Sequence, residues 1–293
     1  MTLTRRRFLT ISAAFAATPA AADTQRWQGR AFGADVGLTL HGPKAQATAA
    51  LAEARQIIAR VERLFSLYDP QSALSTLNAT GVLRDPDPQF TDVMQACDRA
   101  FAMTDGLFDP TVQPLWQALA QGRDTTAARA SIGWRKVQHD SDLIRLAPGQ
   151  ALTFNGIAQG YATDQVARAF AARGLTDTLV NLGEYHGSGR RWRLGIGDPV
   201  HGVLGHRTVA NGAIATSSPA ATLLGDQGHI LHAQARPQWS TVAVEAQSAA
   251  LADSLSTALV LASRDRVEAV MSRAGSSRVT LVGFDGDLVT LLG

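Results

Sequence analysis

The sequence has only one cysteine, Cys97, in its 293 residues, so no disulfide can form within the chain and its stability must come from a packed core. Charge of one sign is lacking as well. There are 27 Lys and Arg against 25 Asp and Glu, a formal net charge of +2. Three of the basic residues, Arg5, Arg6 and Arg7, stand together near the N-terminus. Without them 24 basic residues face 25 acidic ones, and the formal charge becomes −1. With no other cluster of Lys or Arg, the chain has no electrostatic footprint for nucleic acid, nor one for an anionic membrane surface. Internal repeats, low-complexity tracts and Gly/Ser linkers are also missing, so one compact unit is expected. Residues 23–293 are enough for one large domain or two intimate lobes.

The N-terminus reads as an address. Thr4-Arg5-Arg6-Arg7-Phe8-Leu9 is a twin-arginine pattern, and a weakly apolar stretch follows from Phe8 to Ala17. That stretch is about half the ~20 residues a bilayer-spanning helix needs, which suits a signal peptide. Ala20-x-Ala22 reads as a signal-peptidase site with cleavage after Ala22. Residues 1–22 are therefore expected to direct the folded protein through the Tat export machinery to the periplasm, and residues 23–293 to form the mature domain.

Hydrophobic periodicity organises the rest. Arg30 to His41 alternates like an opening strand, and Ala45 to Leu64 has the 3.6-residue period of a long helix. The following FSLYDPQSALSTLNATG is rich in turn residues. Gln89 to Met103, Val112 to Gln121 and Ile157 to Ala172 read as helices, and Trp134 to Leu146 as a hairpin. Thr178 to Leu182, Trp192 to Ile196, Thr208 to Ala215, His229 to His232 and Thr241 to Glu245 read as short strands. Ala249 to Ala262 and Arg264 to Ala274 read as helices, and Val279 to Gly283 with Leu288 to Leu292 as a closing hairpin. Helices and antiparallel-looking strands are segregated, with little βαβ alternation, so the expected class is α+β with a mixed, mostly antiparallel sheet.

Four glycine-marked polar segments stand out. Asp105-Gly106-Leu107-Phe108-Asp109-Pro110-Thr111 is a turn in which Thr111 can cap the next helix, and helix N-termini also bind phosphate. Phe154-Asn155-Gly156-Ile157-Ala158-Gln159-Gly160-Tyr161 joins a strand to a helix. It lacks the Lys-Ser/Thr ending of a phosphate-binding Walker loop, but a carbonyl such as that of Gly156 is a hard oxygen donor suited to magnesium. Asn181-Leu182-Gly183-Glu184-Tyr185 ends a strand with a glycine beside a carboxylate; a plain turn explains it equally well. In Ala252-Asp253-Ser254-Leu255-Ser256-Thr257-Ala258, Asp253 and Thr257 are one helical turn apart and project from one face, where both can ligate one ion. The plainer reading makes Asp253 a helix cap.

Taken in order, the segments ERLFSLYDPQSALSTLN, GLFDPTVQPL, GIAQGYATD, LVNLGE, ATSS and LADSLSTAL resemble the FAD:protein FMN transferase family, the ApbE family, nearly end to end after the signal. The Glu184-Tyr185 variant and the twin-arginine signal look more like the branch that serves nitrous oxide reduction, known as NosX. The resemblance implies a compact, two-lobed, T-fold-like domain. It implies Mg2+ held by the Gly156 carbonyl with Asp253 and Thr257, and a flavin site including Phe32, Tyr68, Asn78, Leu107, Phe108, Asp109, Thr153, Gln159, Leu231 and Ser256. FAD would be the substrate and an exported flavoprotein with a threonine flavinylation motif the acceptor. The family commonly has charged residues where Thr153 and Gln159 stand. Its His-His-Ile-Ile-Asp-Pro-x-Thr-Gly segment appears here as Gly228-His229-Ile230-Leu231-His232-Ala233-Gln234-Ala235-Arg236, with the turn lost.

The implied chemistry is phosphoryl transfer, which depends on positioning and charge neutralisation. His229 is the candidate catalytic base because an imidazole titrates near working pH. The alternative of another class is a non-catalytic periplasmic protein that binds or presents FAD. The broken turn favours that alternative, and the Gly156, Asp253 and Thr257 set favours catalysis.

Overall fold

The computed structural model describes residues 23–293, so the signal reading and the cleavage site lie outside the described residues. An eight-stranded sheet forms the centre, and its strands do not follow chain order. Across the sheet they run Thr24–Ala31, Ala34–His41, Asp177–Asn181, Tyr185–Ser188, Gly212–Ser217, Thr241–Ala246, Arg278–Val282 and Leu288–Leu292. Every neighbouring pair is antiparallel. No helix among the described residues is long and apolar enough to cross a membrane.

Side chains alternate across such a sheet, and its two faces bury different cores. Val180, Leu182, Ala215, Val242 and Val244 face the helices Lys44–Phe65, Pro88–Met103, Ala158–Ala172, Ala249–Leu259 and Arg264–Ala274. Leu179, Tyr185, Ile214 and Ala243 face a smaller core with Trp192, Leu194, Ile196 and Val209 from the hairpin Trp192–Asp198/Gly202–Val209. The helical side is centred on interlocked rings. Phe65, Phe90 and Phe154 lie 5.3 to 5.5 Å apart, and Tyr161 meets Phe65 edge-on at 6.3 Å. These aromatics join the helices Lys44–Phe65 and Pro88–Met103 to the loop that precedes Ala158–Ala172, which fixes where that helix begins.

The α+β class agrees with the sequence reading, but several elements differ. The opening strand is a hairpin, because Phe32 (φ 52°) and Gly33 (φ 78°) form a two-residue turn with both residues left-handed. Thr208 to Ala215 breaks at Ala210-Asn211, with Asn211 at φ 55°. The turn-rich stretch holds a helix, Ala73–Thr80. Ser72 caps it through Ser75 N, Gly81 closes it in the left-handed region, and Leu74 and Leu77 are fully buried. His229 to His232 is not a strand: the His229 N–H bonds the Pro219 carbonyl at 3.2 Å, so this backbone is satisfied in a loop. Trp134 starts with a 3-10 turn, and the hairpin behind it gains a third strand, Val82–Arg84.

Candidate active site

Three of the four glycine-marked segments converge where two helices cross. Ala158–Ala172 and Ala249–Leu259 pass so closely at Gly160 that a Cβ there would lie 2.3 Å from the Ala249 carbonyl oxygen, so only glycine permits this crossing. The N-terminus of the second helix is held by Ser248, its cap, and by Asp164. That carboxylate accepts from Ser248 Oγ at 2.6 Å, Ala249 N at 2.7 Å and Ala250 N at 3.0 Å. Asp253 lies beyond the first turn, so the cap reading of Asp253 fails: Ser248 does that work.

Asp253 is 3% exposed and accepts one backbone N–H, from Gly160, at 3.1 Å. Burial pushes its carboxyl up to about 8, against the Gly160 bond and with the help of the Asp164 charge. Glu184, 8% exposed, accepts the Thr216 N–H at 3.1 Å. Burial and the neighbouring Asp253 charge push it well above the usual carboxylate range, and the Thr216 bond works against them. Among the described residues, neither carboxylate forms an ion pair with a Lys, Arg or His. Two carboxylates are thus enclosed without a positive partner, a costly arrangement in a low dielectric.

Oxygen donors surround them. Thr257 Oγ1 is 2.8 Å from where a Cβ on Gly156 would point, which places the glycine turn against the third turn of the helix. Ser217 Oγ bonds Ser256 Oγ at 2.8 Å and Thr257 Oγ1 at 3.3 Å. Ser256 also donates to the Asp253 carbonyl at 3.0 Å. Thr216 Oγ1 and Gln159 Nε2 are buried with no hydrogen-bond partner, and Gln159 lies over the Gly183 turn. No group of three His, Cys, Asp or Glu that could hold a metal occurs among the described residues. The donor set is instead one that suits a hard divalent cation: a carboxylate, a hydroxyl and a backbone carbonyl. On this test Gly156, Asp253 and Thr257 fit the ion expected of them.

Apart from Gln159 and Ser256, which lie beside the acidic pair, the residues named for flavin fall into three groups. In the first, the Asn78 amide clamps Leu152, donating to its carbonyl at 2.8 Å and accepting its N–H at 2.7 Å. Thr153 N bonds the Pro110 carbonyl at 2.9 Å, which ties the glycine turn to the Leu107–Asp109 segment. Leu107 and Phe108 are buried in the main core. Asp109, not Thr111, caps the short helical turn: it accepts from Thr111 N at 2.8 Å, Thr111 Oγ1 at 2.5 Å and Trp134 N at 3.2 Å. In the second, Phe32 and Tyr68 flank the C-terminal end of the first long helix. Phe32 N donates to Glu62 Oε1 at 2.8 Å, and Tyr68 is 82% exposed. The third is the loop with His229 and half-buried Leu231. His229 Nδ1 lies 3.1 Å from the Pro219 carbonyl, two residues after Ser217. Burial lowers the pKa of His229, while the carbonyls of Pro219 and Thr222 oppose that shift.

Glu184, Ser217, Asp164 and His232 were not among the expected site residues. Ser217 and Glu184 sit inside recognisable segments, ATSS and LVNLGE, but nothing in their spacing says that they meet the Asp253 helix. Only the strand order brings them there.

An antiparallel α+β sheet whose helices cross over a buried, oxygen-rich acidic cluster defines the class structurally, and comparison with known proteins supplies the family. The ApbE family profile matches residues 32–280, and the chain belongs to that family. It is 27% identical over 289 residues to a Rhodobacter capsulatus protein named FAD:protein FMN transferase, an alignment covering 88% of this chain and 55% of that one. The chain thus spans about half the length of that relative. The Escherichia coli K12 protein of the same name is 26% identical over 262 residues, covering 77% of this chain and 74% of its own. The apo crystal structure of the Pseudomonas stutzeri flavinyl transferase ApbE superposes with a TM-score of 0.79 at 26% identity, over 92% of this chain and 94% of that one.

Proposed function

We propose that this chain is a magnesium-dependent FAD:protein FMN transferase that attaches FMN to a threonine hydroxyl of an exported flavoprotein and releases AMP. The observation that carries the proposal is the enclosed, cation-free Asp253 carboxylate with Thr257 and Gly156 alongside it. Two relatives bearing the transferase name support it. In this reading the Gly156 carbonyl, Asp253 and Thr257 hold Mg2+, which when bound neutralises charge on the FAD pyrophosphate and on the departing adenylate.

The remaining work belongs to side chains. Phe32, Tyr68, Leu107, Phe108, Asp109, Thr153, Gln159, Leu231 and Ser256 line the FAD site, and Asn78 acts through the Leu152 backbone that it clamps. The acceptor hydroxyl oxygen forms a bond to the FMN-side phosphorus, the bond from that phosphorus to the adenylate oxygen breaks, and AMP leaves. The hydroxyl proton passes to His229. Burial keeps this imidazole neutral, and if Nδ1 donates to Pro219, the Nε2 lone pair is the acceptor. The protein works in the periplasm after Tat export. The Glu184-Tyr185 pair after Asn181-Leu182-Gly183 supports a NosX-like role, with the flavoprotein of nitrous oxide respiration as acceptor.

The altered segment after His229 favours a second reading, a periplasmic protein that binds FAD without transferring it. One experiment separates the two. Residues 23–293 are incubated with FAD, Mg2+ and acceptor domains, and covalent flavin is read by in-gel fluorescence. Labelling of the acceptor threonine, with AMP released in equal amount, is expected. Tight FAD binding without labelling of any acceptor would leave the carrier.

A further inference from the structure

His232 has no part in the reading above, yet its ring is bonded at both nitrogens. Nδ1 accepts the backbone N–H of Gln234 at 3.1 Å and that of Ala235 at 2.9 Å. Nε2 lies 3.2 Å from the Gly106 carbonyl, across 126 positions of sequence. The first two bonds fix the tautomer. A nitrogen facing two N–H donors must be the bare one, so the proton sits on Nε2 and is donated to Gly106.

Both segments that meet at this ring lead into the proposed flavin site. On one side is the irregular loop with His229 and Leu231, which has no ladder of its own; it is otherwise held where His229 meets the Pro219 carbonyl and by Arg129, whose Nη1 donates to the Ala233 carbonyl at 3.0 Å. On the other is the turn of Asp105 (φ 51°) and Gly106 (φ 82°), immediately before Leu107, Phe108 and Asp109. That turn is gripped from its far side by the helix Arg264–Ala274. Arg266 donates to the carbonyls of Thr104 and Asp105 at 3.0 Å, and Arg273 holds the Asp105 carboxylate at 2.7 and 2.9 Å. The turn is thus fixed to the molecule, and His232 is the ring through which the loop reaches it.

We propose that His232 is a positioning residue that latches the His229–Leu231 loop onto the Gly106 turn, so that two walls of the flavin site hold one fixed relation. The inference rests on the flavin reading for its function, and on the three hydrogen bonds alone for its structure. An aspartate stands at this place in the family pattern given above, and its carboxylate could accept the same two N–H groups. The imidazole adds a donor for Gly106.

The latch holds only while Nδ1 is bare. Burial favours that state and lowers the His232 pKa, as does the positive charge of Arg266 on the flanking helix. The Gly106 carbonyl and the Asp109 carboxylate pull the other way, and Asp105 is already paired with Arg273. Once protonated, Nδ1 would present a third N–H to two others, and the loop would separate from the ring.

Hydrogen exchange on the free protein, without metal or FAD, tests this directly. His232→Phe should speed exchange about tenfold in segments 229–236 and 104–110 while the helices keep their protection. His232→Asn should restore slow exchange in 229–236, because its carbonyl oxygen can accept the same two N–H groups. It should not restore 104–110, because the shorter amide does not reach Gly106. Protection of 229–236 in the unsubstituted protein, corrected for intrinsic rates, should fall as pH drops below the ordinary imidazole value of about 6.5 and stay flat in His232→Asn. Exchange unchanged in His232→Phe, or raised everywhere alike, would overturn the latch, as would an identical profile for Phe and Asn. With an acceptor present, the Phe variant should raise KM for FAD several-fold more than it lowers kcat. A protein that never transfers flavin would defeat the proposed function, and the exchange pattern would still decide the latch.

Discussion

Two aspartates of this protein are almost equally buried and have opposite electrostatics. Asp198, 2% exposed, ends a strand of the hairpin that covers the outer face of the sheet. Burial works against its charge. The hydroxyls of Ser240 and Thr241, at 2.6 and 2.7 Å, and the N–H groups of His201 and Val200, at 2.9 and 2.7 Å, outweigh that cost, and its pKa falls below the ordinary carboxylate value. Asp253, 3% exposed, has the single Gly160 N–H and a pKa raised to about 8. A carboxylate given four donors is held in its charged form; one given a single donor and an acidic neighbour is pushed toward its neutral form. Burial alone does not separate these roles. The number of donors does.

The comparison is broken most sharply by neutralising each aspartate in turn. Asp253→Asn keeps an oxygen for the Gly160 N–H and removes a carboxyl whose ionisation burial opposes. The metal-free protein should melt higher, by roughly 1–2 kcal/mol of stability. Flavin transfer should fall by about 10³-fold or more, because the only charged donor of the proposed ion is gone. Thr257→Val should lower transfer in the same direction but less, about tenfold, since a hydroxyl gives a hard cation less than a carboxylate does. Calorimetry beside in-gel flavin fluorescence checks both. An Asp253→Asn protein that transfers at the normal rate would remove the metal assignment.

How much of this contrast the sequence discloses depends on how far each partner lies along the chain. Asp253 and Thr257 are four residues apart in an apolar helix, and that spacing alone puts them on one face. The Gly156 turn is legible in the same way, from a glycine between a strand and a helix. Glu184 and Ser217 are not, because Glu184 just precedes the strand Tyr185–Ser188 and Ser217 ends the strand Gly212–Ser217, and these two strands are set next to each other by sheet order, which no local pattern encodes. The Phe32-Gly33 turn and the helix Ala73–Thr80 were obscured by residues of atypical propensity whose conformations are set by tertiary contacts. The sequence points to Thr111 as the cap at this helix start; that Asp109 caps it instead, through three bonds within its own turn and to Trp134, emerges only with coordinates.

Asp198→Asn should have the opposite signature. Its amide nitrogen would meet the two hydroxyls that now donate to the carboxylate, and Thr241 is itself bonded to Ser218 at 2.6 Å. Loss of two charge-assisted bonds should cost about 2 kcal/mol, a drop in Tm of about 4–8 °C for a chain of this size. Transfer per folded molecule should stay within about twofold, because no member of the oxygen set around Asp253 is touched. A variant that melts normally but loses transfer would reverse the roles assigned to the two aspartates.

The smallest effect is the most diagnostic, because it depends on sign. The folded-state pKa of Asp198 lies below its unfolded value of about 3.9. Its charge therefore stabilises the fold fully above that value, and the stabilisation is lost as pH falls from there through the folded pKa, where the unfolded chain binds a proton that the native protein refuses. The melting gap between the unsubstituted protein and Asp198→Asn should be constant from neutral pH down to about pH 5 and should narrow below about pH 4. His41, His186, His229 and His232 all have pKa values lowered chiefly by burial, so the protein also loses stability as pH falls below the ordinary imidazole value. That loss is common to both proteins and cancels in the difference. Thermal melts of the pair across the acid range check the sign: a gap that widens in acid would mean that Asp198 is held neutral, and that the four donors around it do not outweigh its burial.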